Sequence, residues 1–527
     1  MYANSVAAPW GLCRGQNMKK LHTALLAVVI AVVMPRYANA AGSSCDSLLK
    51  LTLENTTVTR AELVPEGGFK TPGGGNAAQN ADRFARLPAF CRVAATLKPS
   101  ADSDIKIEVW LPVSGWNGKF EAVGNGGWAG TISYPAMAQA LGRGYATTST
   151  DTGHSTPGGS FALGHPEKLT DYAYRSEHEM TVKAKAIINA FYGNAPSRSY
   201  FNGCSTGGRQ ALMEASRFPQ DFDGIIAGAA ANPKTHLDTW RIWMGLETLK
   251  DPATRIPKEK YPAIHQAVLA ACDARDGLKD GLISDPTSCH FDPQVLACKE
   301  GDGPDCLTAK QVQSVRTILG PAKSPRTGEE IFPGYQPGTE LAWGLLIGGP
   351  DPYATALDQF RFMVFNDPDW DWRTFDVDRD LAKADQVLHG LLTAIDPKSL
   401  SAFFTRGGKL LTYHGWSDQD IAPLASVNFY KSVASALGDQ TVSSSMRLFM
   451  VPGMGHCGGG EGPNTFDMMV PLEQWVEKGE VPGRIVASHS TNGKIDRTRP
   501  LCPYPQVARY TGKGSIDEAE NFTCQLP

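Results

Sequence analysis

Gly203-Cys204-Ser205-Thr206-Gly207 lies between a short run at 199–202, read as a strand, and a helical stretch at 206–218. The pattern is G-x-S-x-G, a sharp strand-to-helix turn. Such a turn leaves no room for side chains at its flanks, so glycine is required there. It lifts Ser205 clear of the sheet. It also sets the next amide, that of Thr206, at a helix N-terminus, where a developing oxyanion is stabilised. The five residues alone recur by chance; the strand before and the helix after make them informative.

The neighbouring chain supplies matching elements. Strands are expected at 105–111, where apolar and polar residues alternate at the start, and at 120–123, 145–149 and 224–228. A helix is expected at 177–192, with Met180, Ala184, Ile187, Ile188 and Phe191 on one face. The rhythm stops near residue 230 and resumes with a strand at 409–413, a helix near 423–437, a strand at 446–451 and a helix near 468–478. Alternating strands and helices indicate an α/β fold with a largely parallel sheet. The expected catalytic domain is therefore split, 41–229 and 406–527, around a lid insertion at 230–405 that covers the catalytic face. Residues 41–100 read as a mixed lead-in.

A length of 527 residues exceeds one ordinary core, which suits a large domain with an insertion. Lys and Arg number 50 against 54 Asp and Glu, so there is no basic footprint for nucleic acid. An apolar fraction of 42% excludes a disordered chain. Lys19-Lys20, an apolar run at 21–34 and Ala38-Asn39-Ala40 have the layout of a signal peptide over 1–40, with Met18 as a competing start to Met1. The run is too short to span a bilayer with ease, so no membrane association is expected after cleavage, and the mature protein is expected to be secreted or periplasmic. Arg14, Lys19, Lys20 and Arg36 would leave with that segment, taking the formal charge from −4 to −8. Of 11 cysteines, Cys13 would also leave; the ten that remain are an even set, as disulfides require in an exported protein.

A serine nucleophile needs a base, and the base needs a carboxylate. His456 follows the expected strand at 446–451 in Val451-Pro452-Gly453-Met454-Gly455-His456-Cys457. Asp418 follows the strand at 409–413 in Tyr413-His414-Gly415-Trp416-Ser417-Asp418. The order Ser, Asp, His is that of α/β-hydrolases, and loops at strand C-termini are where such sheets place their sites. Asp420 is the reserve acid. His414 precedes the acid and reads as structural; His154 and His165 read as solvated, with pocket lining as the alternative. Cys204 precedes Ser205 and Cys457 follows His456. If serine and histidine meet, these cysteines are neighbours able to join, pinning nucleophile to base.

These three segments, with Trp116-Asn117-Gly118-Lys119-Phe120 and Arg499-Pro500-Leu501-Cys502-Pro503-Tyr504-Pro505, resemble the tannase and feruloyl esterase family over nearly all of the mature chain. The resemblance implies an α/β-hydrolase fold with a large lid stabilised by disulfides and calcium. It implies a second oxyanion donor at the Gly127 amide, in the loop Gly124-Asn125-Gly126-Gly127-Trp128-Ala129-Gly130. It implies the pairs Cys45–Cys91, Cys204–Cys457, Cys272–Cys289, Cys298–Cys306 and Cys502–Cys524, which sequence alone does not choose. In Cys272-Asp273-Ala274-Arg275-Asp276-Gly277-Leu278-Lys279-Asp280-Gly281-Leu282, clustered carboxylates suit a hard, oxygen-ligated cation. This is no EF-hand, since Arg275 takes the third position; the family's calcium loop implies ligands Asp273, Asp276, Asp280 and the carbonyls of Leu278 and Leu282.

The implied activity is hydrolysis of small aromatic esters by a monomer or homodimer with no organic cofactor. Feruloyl and other hydroxycinnamoyl esters come first, gallate esters second, and mono(2-hydroxyethyl) terephthalate third, the last calling for a lid arginine such as Arg361 or Arg373. Trp343, Phe360, Phe362, Phe365, Trp370 and Trp372 read as core, and as what the lid has available for an acyl pocket. An inactive binding protein on a hydrolase fold is the non-enzyme alternative, against which the intact Ser, Asp and His stand.

Overall fold

The computed structural model describes residues 43–72, 77–394 and 396–527. The signal peptide expected over 1–40 lies outside them. Among the described residues no helix is long and apolar enough to cross a membrane.

Strands β1 (Thr56–Val64), β2 (Phe90–Leu97) and β3 (Ile105–Pro112) pair antiparallel. The chain then supplies β4 (Lys119–Val123), β5 (Ala146–Thr150), β6 (Arg198–Cys204) and β7 (Gly224–Gly228). After the insertion, whose described residues hold only the small ribbon β8 (Ala322–Lys323) and β9 (Glu330–Phe332), it returns with β10 (Lys409–Gly415) and β11 (Met446–Val451). One nine-stranded sheet results, in the order β1-β2-β3-β5-β4-β6-β7-β10-β11. From β5 to β11 every neighbour is parallel. Gly224-Ile225-Ile226-Ala227-Gly228 is buried throughout, as a central parallel strand covered on both faces must be. Helices Ser176–Tyr192, Thr206–Arg217 and Leu424–Leu437 share one core with the sheet; Tyr134–Gly142 and Met469–Lys478 belong to separate cores, packed with other strand side chains.

Two expectations change. The lead-in contains β1 and β2, tied to the preceding turn by Cys45–Cys91. The insertion is ordered and helical, with Lys234–Thr248, Tyr261–Cys272, Ala309–Leu319 and Val377–Leu392 around Trp240, Trp343, Phe360 and Leu388. Its helices escape a periodicity reading because they bury charge: Lys234, Asp238, Arg241 and His265 are all inside. That core takes in Trp128, Tyr172 and Ile421 from the segments that connect the strands of the sheet, so insertion and strand ends are packed together.

Candidate active site

β6 ends at Cys204 and a helix starts at Thr206, leaving Ser205 alone in the turn at φ 65°, ψ −124°. This left-handed conformation for a non-glycine residue is strained. Its surroundings hold it: the Ser205 amide donates to the Gly228 carbonyl at 3.0 Å, and the Gly207 amide to Asn125 O at 2.7 Å. A Cβ at Gly203 would fall 2.4 Å from the Gly207 carbonyl oxygen, and one at Gly208 2.3 Å from that of Gly228. The glycines are there for close backbone approach.

Asp418 and His456 leave the ends of β10 and β11, two and three strands along from β6 and next to each other. Asp418 is fully buried. One carboxylate oxygen accepts the amides of Asp420 and Ile421 at 2.7 and 2.9 Å; the other accepts His456 Nδ1 at 2.8 Å and His414 Nε2 at 3.0 Å. His414 Nε2 also faces the Ile421 carbonyl at 3.1 Å, and its Nδ1 lies 2.7 Å from Ser426 Oγ. Two pure acceptors at Nε2 require a proton there. His414 is thus a buried second donor to the carboxylate.

Burial pushes the Asp418 carboxyl up, but the His456 and His414 imidazoles outweigh it and hold the group well below the usual carboxylate range. Burial pushes His456 down, and the Asp418 charge and hydrogen bond, with Asp420 behind them, carry it above its ordinary 6.5. With Nδ1 on Asp418, the free His456 nitrogen is Nε2, 3.5 Å from Asp420 Oδ2. Cys204 and Cys457 are bonded across 253 positions of chain, with Cα atoms 6.0 Å apart, so the adjacent Ser205 and His456 are neighbours in space. Both line one cavity of about 340 Å³. Ser205 Oγ has no hydrogen-bond partner among the described residues; in enzymes at large, catalytic hydrogen bonds are often long without substrate and tighten only in its complex.

Gly127 and Thr206 line the same cavity. Thr206, as first residue of its helix, has no intrahelical acceptor for its amide. Gly127 sits at φ 53°, and its carbonyl is held by Thr206 Oγ1 at 2.7 Å and Tyr172 Oη at 3.0 Å. Next to it, the Trp128 carbonyl is 2.7 Å from His154 Nε2. The loop's other end is fixed by Gln210, whose side-chain carbonyl accepts the Asn125 amide at 2.9 Å while its NH₂ reaches Asn125 Oδ1 and Glu177. Glu177 is buried, which pushes its carboxyl up to about 7.

His154 is therefore not solvated: it stacks on Phe161 at 3.7 Å and braces the glycine loop. His165 is half exposed beside Asp102. The six insertion aromatics do not line the cavity; Trp343, Phe360, Trp370 and Trp372 are buried in the insertion core, with Phe362 and Phe365 packed against it. Arg361 and Arg373 are also absent from its walls, Arg361 reaching the Trp370 carbonyl and Arg373 pairing with Asp371 and Asp351. The cavity's aromatic groups are Trp128 and Tyr353, and its charged walls are Lys234, Arg241 and Asp420. Lys234, Asp238 and Arg241 recur at helical spacing along the helix, a signal legible in the sequence.

In the loop after the helix Tyr261–Cys272, Asp273 accepts the amides of Asp280 and Gly281, Asp276 accepts Leu278 N and Ser284 Oγ, and Asp280 accepts Leu282 N and pairs with buried Arg499. Among the described residues no three His, Cys, Asp or Glu side chains converge as a metal cluster. The donor chemistry still fits an oxygen-ligated cation, because each carboxylate oxygen accepts one hydrogen bond and keeps a second lone pair. The remaining bridges are Cys272–Cys289, Cys298–Cys306 and Cys502–Cys524.

The tannase and feruloyl esterase family model matches residues 91–525. An esterase of Xanthomonas campestris, described as uncharacterised, is 39% identical over 92% of both chains. A probable feruloyl esterase B-2 of Aspergillus terreus is 32% identical over 96% of this chain and 100% of its own. The crystal structure of feruloyl esterase B from Aspergillus oryzae superposes with a TM-score of 0.85 at 32% identity, covering 91% of this chain and 99% of that one. The fold is of the α/β-hydrolase type, and the chain belongs to the tannase and feruloyl esterase family of ester hydrolases.

Proposed function

We propose that the protein hydrolyses feruloyl and related hydroxycinnamoyl esters through an acyl-enzyme on Ser205. The observation that carries this reading is the 2.8 Å bond from His456 Nδ1 to Asp418, joined to Ser205 through the adjacent Cys204–Cys457 bridge. The named substrate comes from feruloyl esterase relatives.

Ser205 Oγ attacks the ester carbonyl as His456 Nε2 takes its proton. Asp418 keeps the imidazole in the tautomer that leaves Nε2 free and stabilises the imidazolium. The amides of Gly127 and Thr206 receive the oxyanion, an effect worth roughly 3–4 kcal/mol per donor. His456 returns the proton to the leaving alcohol. Water, activated by the same nitrogen, then releases the aromatic acid. The base must be neutral, and His456 is shifted upward, so the acid limb of kcat/KM lies above pH 6.5. The test is hydrolysis of methyl ferulate, methyl gallate and mono(2-hydroxyethyl) terephthalate by wild type and Ser205→Ala. The reading expects ferulate to rank first and the variant to be inert; turnover in the variant overturns it.

The stretch 230–405 acts in this reading as a lid, its helix Lys234–Thr248 supplying part of the cavity wall. Calcium is assigned to the loop at Asp273, Asp276 and Asp280 with the carbonyls of Leu278 and Leu282, where it would neutralise the carboxylates and stabilise the lid away from the reaction. A chelator is expected to lower Tm, and an unchanged Tm removes the assignment. Export is supported by the five disulfides.

A further inference from the structure

The cavity wall carries a lysine that the reaction does not use. Lys234, at the start of its helix, is 3% exposed and lines the cavity that holds Ser205. Its ammonium pairs with Asp238 and lies 4.6 Å from the centre of the Trp128 ring. Trp128 directly follows Gly127, so this cation stands beside the loop that carries the proposed oxyanion donor.

Donor counts separate Lys234 from its neighbours. The two terminal nitrogens of Arg241 are committed, Nη1 donating to Asp238 at 2.9 Å and Thr355 at 3.1 Å and Nη2 to the carbonyl and carboxylate of Asp420, so that only its Nε is left without an acceptor. An ammonium has three N–H groups, and among the described residues only Asp238 accepts from Lys234 Nζ. Two donors on a buried cation are left without a protein acceptor, an arrangement that is costly until a ligand oxygen fills it. The cavity, at about 340 Å³, suits one aromatic acid better than an acid with its sugar alcohol. Of the two halves of the ester, the acyl ring is the one this volume accommodates.

We propose that Lys234 is a specificity-determining residue, donating hydrogen bonds to an oxygen substituent on the ring of the acyl group and so selecting oxygenated aromatic acids over bare rings. This inference rests on the aromatic-ester reading above and adds the residue that reads the ring. A site built around such a donor rejects the analogue that lacks the oxygen, because the charged group is then left unpaired.

The test compares methyl p-coumarate with methyl cinnamate, which differ by one ring hydroxyl. Wild type is expected to prefer p-coumarate in kcat/KM by about tenfold or more, the scale of one hydrogen bond to a charged group. Lys234→Met is expected to bring that ratio close to one, and to do so whether the alcohol is methyl or a larger group. A wild-type ratio near one, or a variant that loses both substrates in equal proportion, overturns the proposal and leaves Lys234 as a counter-ion for Asp238. A penalty that follows the alcohol overturns it also. Should Lys234→Met not fold, the wild-type ratio and competitive inhibition of wild type by the two free acids decide the matter, with p-coumarate expected to bind about tenfold tighter. If wild type cleaves neither ester while cleaving other esters, the aromatic-ester reading itself fails, a result distinct from any ratio.

Discussion

The sheet and the insertion solve the same problem with opposite means. In the sheet, the proposed chemistry rests on backbone: a turn at Ser205 held by glycines, two loops at the ends of β10 and β11, and a disulfide that joins the turn to the loop after β11. In the insertion, the proposed selectivity rests on buried charge: Lys234, Asp238 and Arg241 lie along one helix and meet Asp420 from the sheet side. The backbone device positions chemistry; the charged device shapes what fits beside it. A change to the first is therefore expected to act on turnover, and a change to the second on stability and selectivity.

Three variants probe that division, from the strongest effect to the weakest. Asp418→Asn keeps the shape of the carboxylate but favours the wrong imidazole tautomer, and kcat is expected to fall about 10⁴-fold with Tm little altered; a loss under tenfold would move the acid role to Asp420. Asp238→Ala leaves Lys234 and Arg241 buried beside one fewer carboxylate. Breaking a buried pair in this way costs about 3–5 kcal/mol, read as a large drop in Tm, and an unchanged Tm would mean water already reaches those cations. Asp420→Asn removes a charge that raises His456 and leaves Arg241 less compensated. Both changes favour the neutral imidazole at lower pH, so the acid limb of kcat/KM is expected to move down; an upward move would contradict the electrostatics described here.

The same division explains what could be read from residues alone. Ser205, Asp418 and His456 each follow a strand with a clear apolar run and sit among glycines, so motif and order suffice to nominate them. The cysteines beside Ser205 and His456 tie two distant segments without any knowledge of the fold. β1 is harder: Thr56-Thr57-Val58-Thr59-Arg60 is polar on its exposed side, and an edge strand shows little hydrophobic signal. The insertion helices are harder still, because charges that normally mark the solvent face are inside. His414 and His154 illustrate the limit. His414 reads as structural and His154 as solvated, and only three dimensions reveal that one donates to Asp418 and the other braces the loop at Gly127. Gln210 is similar, since its contact with Asn125 spans 85 positions of chain.

The most direct measurement of the central claim is peptide mass mapping after reaction with a fluorophosphonate, which forms a stable adduct only on an activated serine. The account predicts one stoichiometric adduct, on the peptide carrying Ser205, formed above the acid limb and absent in Asp418→Asn at matched times. An adduct on another residue, or none in an enzyme that is turning over ester, would contradict it.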